Sequence, residues 1–190
     1  MSKLIKFFTR KKPFMFDSFN GPGLVGWNAL IGSWGVSGGR VYSISDNSMD
    51  LVAKETGASN YLITCTTNGH IAELNNQRFL NIIFRLNDST NYLMTRITGG
   101  NLHLYKCLNG TLYLLTQTTA SNENGRDYVF NVRCKDNDIR VYVDGVQQLQ
   151  YTLSGGDTVF AGYTKVGLRL TKSGTPTFPA NADNYRVDHL

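Results

Sequence analysis

The sequence predicts an all-β chain folded as a two-sheet antiparallel sandwich, and three observations carry that expectation. Ten Tyr and ten Phe accompany many Val, Ile and Thr, the residues that fill pleated surfaces. Apolar residues alternate with polar ones over short runs, as half-buried strands require. Turn pairs such as Gly99-Gly100, Asn109-Gly110 and Asp144-Gly145 stand between those runs and tolerate the positive φ angles of tight hairpins.

Taken in order, residues 1–12 form a basic, partly apolar arm, and Pro13 opens a domain expected to run over 13–190. A glycine-rich passage with both tryptophans, Gly21 to Gly39, reads as loops around short strands. The clearest strands are then Tyr61–Thr66, Arg78–Leu86, Tyr92–Ile97, Leu102–Cys107, Thr111–Gln117, Asp127–Lys135, Ile139–Val143 and Lys165–Leu170. No amphipathic helix is expected.

Period two assigns faces, because alternate side chains of a strand point to opposite sides. The expected core rows are Leu80, Ile82, Phe84 and Leu86; Leu93 and Ile97; Leu102 and Leu104; and Leu112 and Leu114. Tyr128, Phe130, Val132 and Cys134, then Ile139, Val141 and Val143, then Val166, Leu168 and Leu170 complete them. The opposite rows hold Asn81 and Arg85, Tyr92 and Arg96, His103 and Tyr105, Tyr113 and Gln117, Asn131 and Arg133, and Arg140 and Tyr142. Stacking rings with flanking donors suit sugars, and arginines suit carboxylates. Arg85, Tyr92, Arg96, His103, Tyr105 and Tyr142 are therefore the candidate glycan-binding residues. The competing reading is a solvated sheet face whose Tyr and Arg pairs stabilise the sheet.

The net charge of +5 at pH 7 is matched by five cations of the arm, Lys3, Lys6, Arg10, Lys11 and Lys12. The body is near neutral, which argues against nucleic acid as a partner. Cys65, Cys107 and Cys134 cannot all pair within one chain, lack CxxC spacing and fall in strands, so buried free thiols are expected. The apolar start breaks at Lys6 and ends at Phe8, which does not make a signal peptide, and no apolar stretch is long enough to span a bilayer. Synthesis in the cytoplasm without membrane insertion is the expectation.

The runs Phe16-Asp17-Ser18-Phe19, Gly26-Trp27, Gly32-Ser33-Trp34-Gly35-Val36, Asn91-Tyr92-Leu93, Ile139-Arg140-Val141-Tyr142-Val143-Asp144-Gly145, Gly167-Leu168 and Ala182-Asp183-Asn184-Tyr185-Arg186-Val187 resemble the concanavalin A-like lectin/glucanase superfamily. The likeness is to laminin-G-like jelly-roll modules of bacterial surface proteins and bacteriophage structural proteins. It implies a jelly roll whose first and last strands pair, bringing Asp17 near Asp183 and Asn184. Those oxygens are a candidate calcium site, and turn capping is their alternative use.

The glucanases of that superfamily carry Glu-x-Asp-x-Glu on one strand. The three glutamates here, Glu55, Glu73 and Glu123, lack that setting. Asp136 and Asp138 flank an expected hairpin turn, and His70, His103 and His189 stand in no nucleophile motif. The chain is therefore expected not to catalyse. The expected role is a virion structural protein, a bacteriophage head decoration or tail component, with the arm residues Lys3, Lys6, Phe7, Phe8, Arg10, Lys11 and Lys12 anchoring it to other virion proteins in a homo-oligomer or larger assembly. The alternative is a carbohydrate-binding module for host-surface glycans, acting through the aromatic and basic face or through Trp27 and Trp34; a glycan-processing enzyme is a further one.

Overall fold

The computed structural model describes residues 15–45, 49–68, 70–73, 76–121, 123, 125–173 and 180–190. The arm expected to anchor the chain lies outside the described residues. Sixteen strands are present among the described ones. In chain order they are β1 Met15–Asp17, β2 Asn28–Ile31, β3 Trp34–Ser37, β4 Arg40–Ser43, β5 Met49–Glu55, β6 Tyr61–Asn68, β7 His70–Glu73 and β8 Asn76–Asp88. There follow β9 Asn91–Thr98, β10 Asn101–Leu108, β11 Thr111–Thr119, β12 Tyr128–Lys135, β13 Asp138–Val143, β14 Val146–Thr152, β15 Lys165–Ser173 and β16 Asn181–His189. All eight strands expected from the pattern are observed, each within a few residues of its expected ends.

The strands form two antiparallel sheets. The first is ordered β14-β13-β12-β6-β16-β4-β3, with β1 also paired to β16, and the second β11-β10-β9-β8-β15-β5-β2, with β7 also paired to β8. The first and last strands therefore pair, with Met15 opposite Val187 and Asp17 opposite Tyr185. The fold is a jelly-roll sandwich. Its hairpins turn as their residues dictate: Asn109-Gly110 has φ of 51° and 80°, and Asp144-Gly145 has 51° and 81°.

The inward rows of both sheets meet in one core, where Ile82, Phe84, Leu93 and Leu104 of the second sheet face Ile63, Phe130, Val132 and Val141 of the first. A 3-10 helix, Gly155–Gly162, was not foreseen; it buries Phe160 into one end of that core. Both tryptophans pack partly buried against the core. Trp27 lies edge-on to Tyr185, with ring centroids 5.1 Å apart, and Trp34 donates from Nε1 to the Ile31 carbonyl at 3.4 Å. The three cysteines are buried and unpaired, as expected.

Three expected core residues, Leu112, Leu114 and Leu86, fall elsewhere, each at a bulge or an edge. Leu112 pairs with Cys107 and Leu114 with Tyr105, which puts both on the face turned away from the core, and Leu114 is exposed. A bulge in β11 sends Leu115 to the core instead. Leu86 is buried, but it joins a second apolar cluster on the outer face because the pairing of β8 slips between Phe84 and Asp88.

Candidate functional site

The outer face of the second sheet is built from the rows opposite to the core. Strand pairing aligns Gln117, His103 and Arg96 across β11, β10 and β9, and Asn81, Arg169 and Leu51 across β8, β15 and β5. Since β8 lies between β9 and β15, Gln117, His103, Arg96, Asn81 and Arg169 form one polar row running across the strands and ending at Leu51. On one side of the row lie Met94, Ile83, Gly167 and Ala53, and beyond them Tyr92 and Cys107. Gly167 sits where strands approach closely: a Cβ there would stand 2.3 Å from the Val52 carbonyl oxygen.

The face has a buried floor and a half-buried rim. Asn81 and Met94 are wholly buried and Arg169 is 8% exposed, whereas Arg96, His103 and Tyr105 are half-buried. The floor is fixed by hydrogen bonds. Asn81 donates from Nδ2 to the Arg169 carbonyl at 2.7 Å and to Thr171 Oγ1 at 3.2 Å. Arg169 donates from Nη1 to the Tyr92 hydroxyl at 2.6 Å and to Met94 Sδ at 3.6 Å. On the rim the rings of His103 and Tyr105 stack at 5.5 Å, and the Arg96 guanidinium lies 5.1 Å from the ring centres of both Phe79 and Tyr105. Burial first, and the neighbouring Arg96 charge second, push the His103 pKa below the ordinary histidine value and favour its neutral form.

This row leaves polar atoms unspent. Asn81 Oδ1, Arg96 Nε, His103 Nδ1 and Arg169 Nε are buried without a hydrogen-bond partner, and the other such atom among the described residues is Arg85 Nε. Buried polar groups are ordinarily paired, so four unpaired atoms on one cross-strand row single this face out as the candidate site.

Four of the expected glycan-binding residues, Tyr92, Arg96, His103 and Tyr105, do share this face, although Tyr92 is 1% exposed and serves as floor. Two do not belong to it. Arg85 sits at the β8 irregularity with φ 50°, is fully buried, and turns its guanidinium to the sandwich end. There it donates to the carbonyls of Ala161, of Phe160 at 3.4 Å and of Asp136 at 2.8 Å. Its role is to tie β8 to the 3-10 helix and the β12–β13 turn. Tyr142 lies on the first sheet, beside Leu62, Asn131 and Arg133. Tyr113 pairs with Lys106, whose ammonium stands 5.6 Å from its ring centre, and so leaves the row assigned to it.

Sequence reasoning missed Arg169 as a site residue. Its signal was a lone arginine between Leu168 and Leu170 in an otherwise apolar run.

The candidate calcium ligands are spent on protein donors. Asp17 accepts from the Phe19 amide and from Trp27 Nε1, both at 2.8 Å, and Asp183 accepts from the Asn184 amide at 2.6 Å and from Asn184 Nδ2 at 3.0 Å. Asp17 and Asp183 thus accept from amides of their own turns, and Asp17 also holds the Trp27 indole. Among the described residues no group of three or more His, Cys, Asp or Glu is placed to hold a metal ion.

No family model matches the chain, and no curated protein matches it by sequence. Solved structures do match. A carbohydrate-binding module from Bacillus subtilis is 14% identical, with a TM-score of 0.62 over 86% of this chain and 94% of that one. A beta-glucanase from Bacillus licheniformis is 13% identical, with a TM-score of 0.63 over 93% and 98%. A non-specific endo-beta-1,3(4)-glucanase of family GH16 is 13% identical, with a TM-score of 0.63 over 93% and 90%. At these identities the likeness shows the fold alone: a two-sheet antiparallel jelly roll.

The expectation of a chain that does not catalyse is corrected by the same likenesses. Two of these structures are glucanases that match it nearly end to end, so the architecture is one on which hydrolysis occurs. The absent Glu-x-Asp-x-Glu run removes one arrangement of carboxylates and not catalysis as such.

Proposed function

We propose that the chain recognises carbohydrate through the outer face of its second sheet. The observation that carries this reading is the polar row of His103, Arg96, Asn81 and Arg169, each with a buried atom lacking a partner, beside the stacked rings of His103 and Tyr105. A pyranose matches both features: its C–H face rests on an aromatic ring, and its hydroxyls both donate and accept. The named neighbours, a carbohydrate-binding module and glucanases, lend support through the fold. The arm expected to anchor a virion protein lies outside the described residues, and glycan recognition by this face does not depend on it.

The test is an oligosaccharide array probed with the wild type and with Tyr105→Ala/His103→Ala, followed by product analysis of every glycan that binds. The wild type is expected to bind at least one glycan class that the double variant loses at unchanged folding. Equal binding by the two proteins would place recognition elsewhere.

A further inference from the structure

Resting on that reading, we infer that the glycan held by this face is an acidic one whose carboxylate lies between Arg96 and Arg169.

The argument begins with where the positive charges find partners. Several guanidinium and ammonium groups of the described residues sit against carboxylates, Arg40 with Asp127 at 2.6 Å, Lys106 with Asp157 at 2.6 Å, and Arg186 with Asp188 at 2.6 Å, while Lys54 and Lys165 donate to the carbonyls of Val25 and Asn87. On the outer face of the first sheet Asp138 holds both Arg133 at 3.2 Å and Arg140 at 2.8 Å. Arg96 and Arg169 are held differently. Among the described residues Arg96 meets the rings of Phe79 and Tyr105, and Arg169 meets a phenol and a thioether. Neither is given a carboxylate there. A guanidinium removed from water without a counter-charge is costly, and a ligand anion relieves that cost where a neutral sugar does not.

The unspent atoms have the matching pattern. Arg96 and Arg169 carry unpartnered Nε donors at the two ends of the interval, and Asn81, wholly buried on the strand between them, carries the unpartnered Oδ1. Neighbouring strands lie about 4.8 Å apart, so the two arginine backbones, two strands apart, are about 10 Å from each other, a span that one sugar ring bridges. A uronic or sialic residue presents a carboxylate next to hydroxyls. The carboxylate accepts from the guanidinium groups in charge-assisted bonds, and the ring face meets Tyr105.

The experiment is titration calorimetry at low salt with matched pairs: trigalacturonate and its methyl ester, trimannuronate and its methyl ester, sialyllactose and lactose, with a sulfated trisaccharide as a separate arm. At least one acid is expected to bind about tenfold or more tightly than its uncharged partner. Arg96→Gln is expected to abolish most of that preference while keeping the wild-type melting temperature. Neutral partners bound as tightly as the acids would overturn the carboxylate and leave carbohydrate recognition standing. Tighter binding of the sulfated sugar than of every carboxylate would overturn it in favour of sulfate. Binding of no pair member, together with a blank oligosaccharide array, would overturn both this inference and the reading beneath it.

Discussion

Arg169 of β15 donates to the Tyr92 hydroxyl of β9 at 2.6 Å, reaching over β8, which lies between the two strands. Both side chains are buried, and burial pushes the Tyr92 phenol well above its ordinary pKa, so the hydroxyl stays protonated while it accepts. The bond stitches three central strands and fixes the guanidinium at the floor of the proposed site. Tyr92→Phe removes the acceptor and is expected to lower stability by about 1.5–3 kcal/mol, the range for hydrogen bonds to charged groups. Denaturant unfolding measures it, and an unchanged midpoint would mean that the bond does not hold the floor.

Arg85 tests the separation of structure from recognition. Three carbonyls, of Ala161, Phe160 and Asp136, receive its guanidinium at the sandwich end, and its backbone amide donates to the Tyr61 hydroxyl at 2.8 Å. Arg85→Met keeps the length of the side chain and takes the donor from the Ala161 and Asp136 carbonyls, while Phe160 keeps the Tyr163 amide at 3.2 Å; the cost is about 1–3 kcal/mol for each buried acceptor left unmet. The melting temperature is expected to fall while glycan affinity, measured well below the transition, stays at the wild-type value. A variant that melts normally and loses the glycan would return Arg85 to the binding site.

His103 gives a pH dependence whose sign follows from its lowered pKa. Above the ordinary histidine value of about 6.5 the ring is neutral in both folded and unfolded chains and contributes nothing. As the pH falls below that value the unfolded chain takes up the proton first, so stability declines until the pH passes the folded pKa, after which the loss is complete. His103→Gln should therefore flatten the fall in melting temperature between neutral and mildly acidic pH. Parallel curves for wild type and variant over that window would show that His103 is not held neutral.

The sequence reveals most of the sandwich because alternation speaks directly of faces: Leu80, Ile82, Phe84, Leu102, Leu104, Val166, Leu168 and Leu170 all lie in the core as the period requires. The errors arise where period two is interrupted. At Arg85 a positive φ and a slipped register turn the arginine away from the outer row and send Leu86 to it. At Leu112 and Leu114 an edge strand carries apolar residues outward. Alternation also cannot say which strands adjoin, and so Tyr142 was grouped with Arg96 although they belong to different sheets. Arg169 became visible only when β15 was found beside β8, where the arginine completes the row begun by Asn81.

The central claim is that one face of one sheet recognises the glycan, and the most direct measurement compares dissociation constants for the same oligosaccharide between Tyr105→Ala on that face and Tyr142→Ala on the opposite sheet. Both residues are partly exposed, so neither change should disturb folding. Removing the Tyr105 ring takes away the stacking surface and is expected to weaken binding by about tenfold or more, in keeping with about 1.4 kcal/mol or more for an aromatic contact at a binding site. Tyr142→Ala is expected to bind as the wild type does. Loss of affinity in Tyr142→Ala with Tyr105→Ala unaffected would contradict the account and move the site to the first sheet.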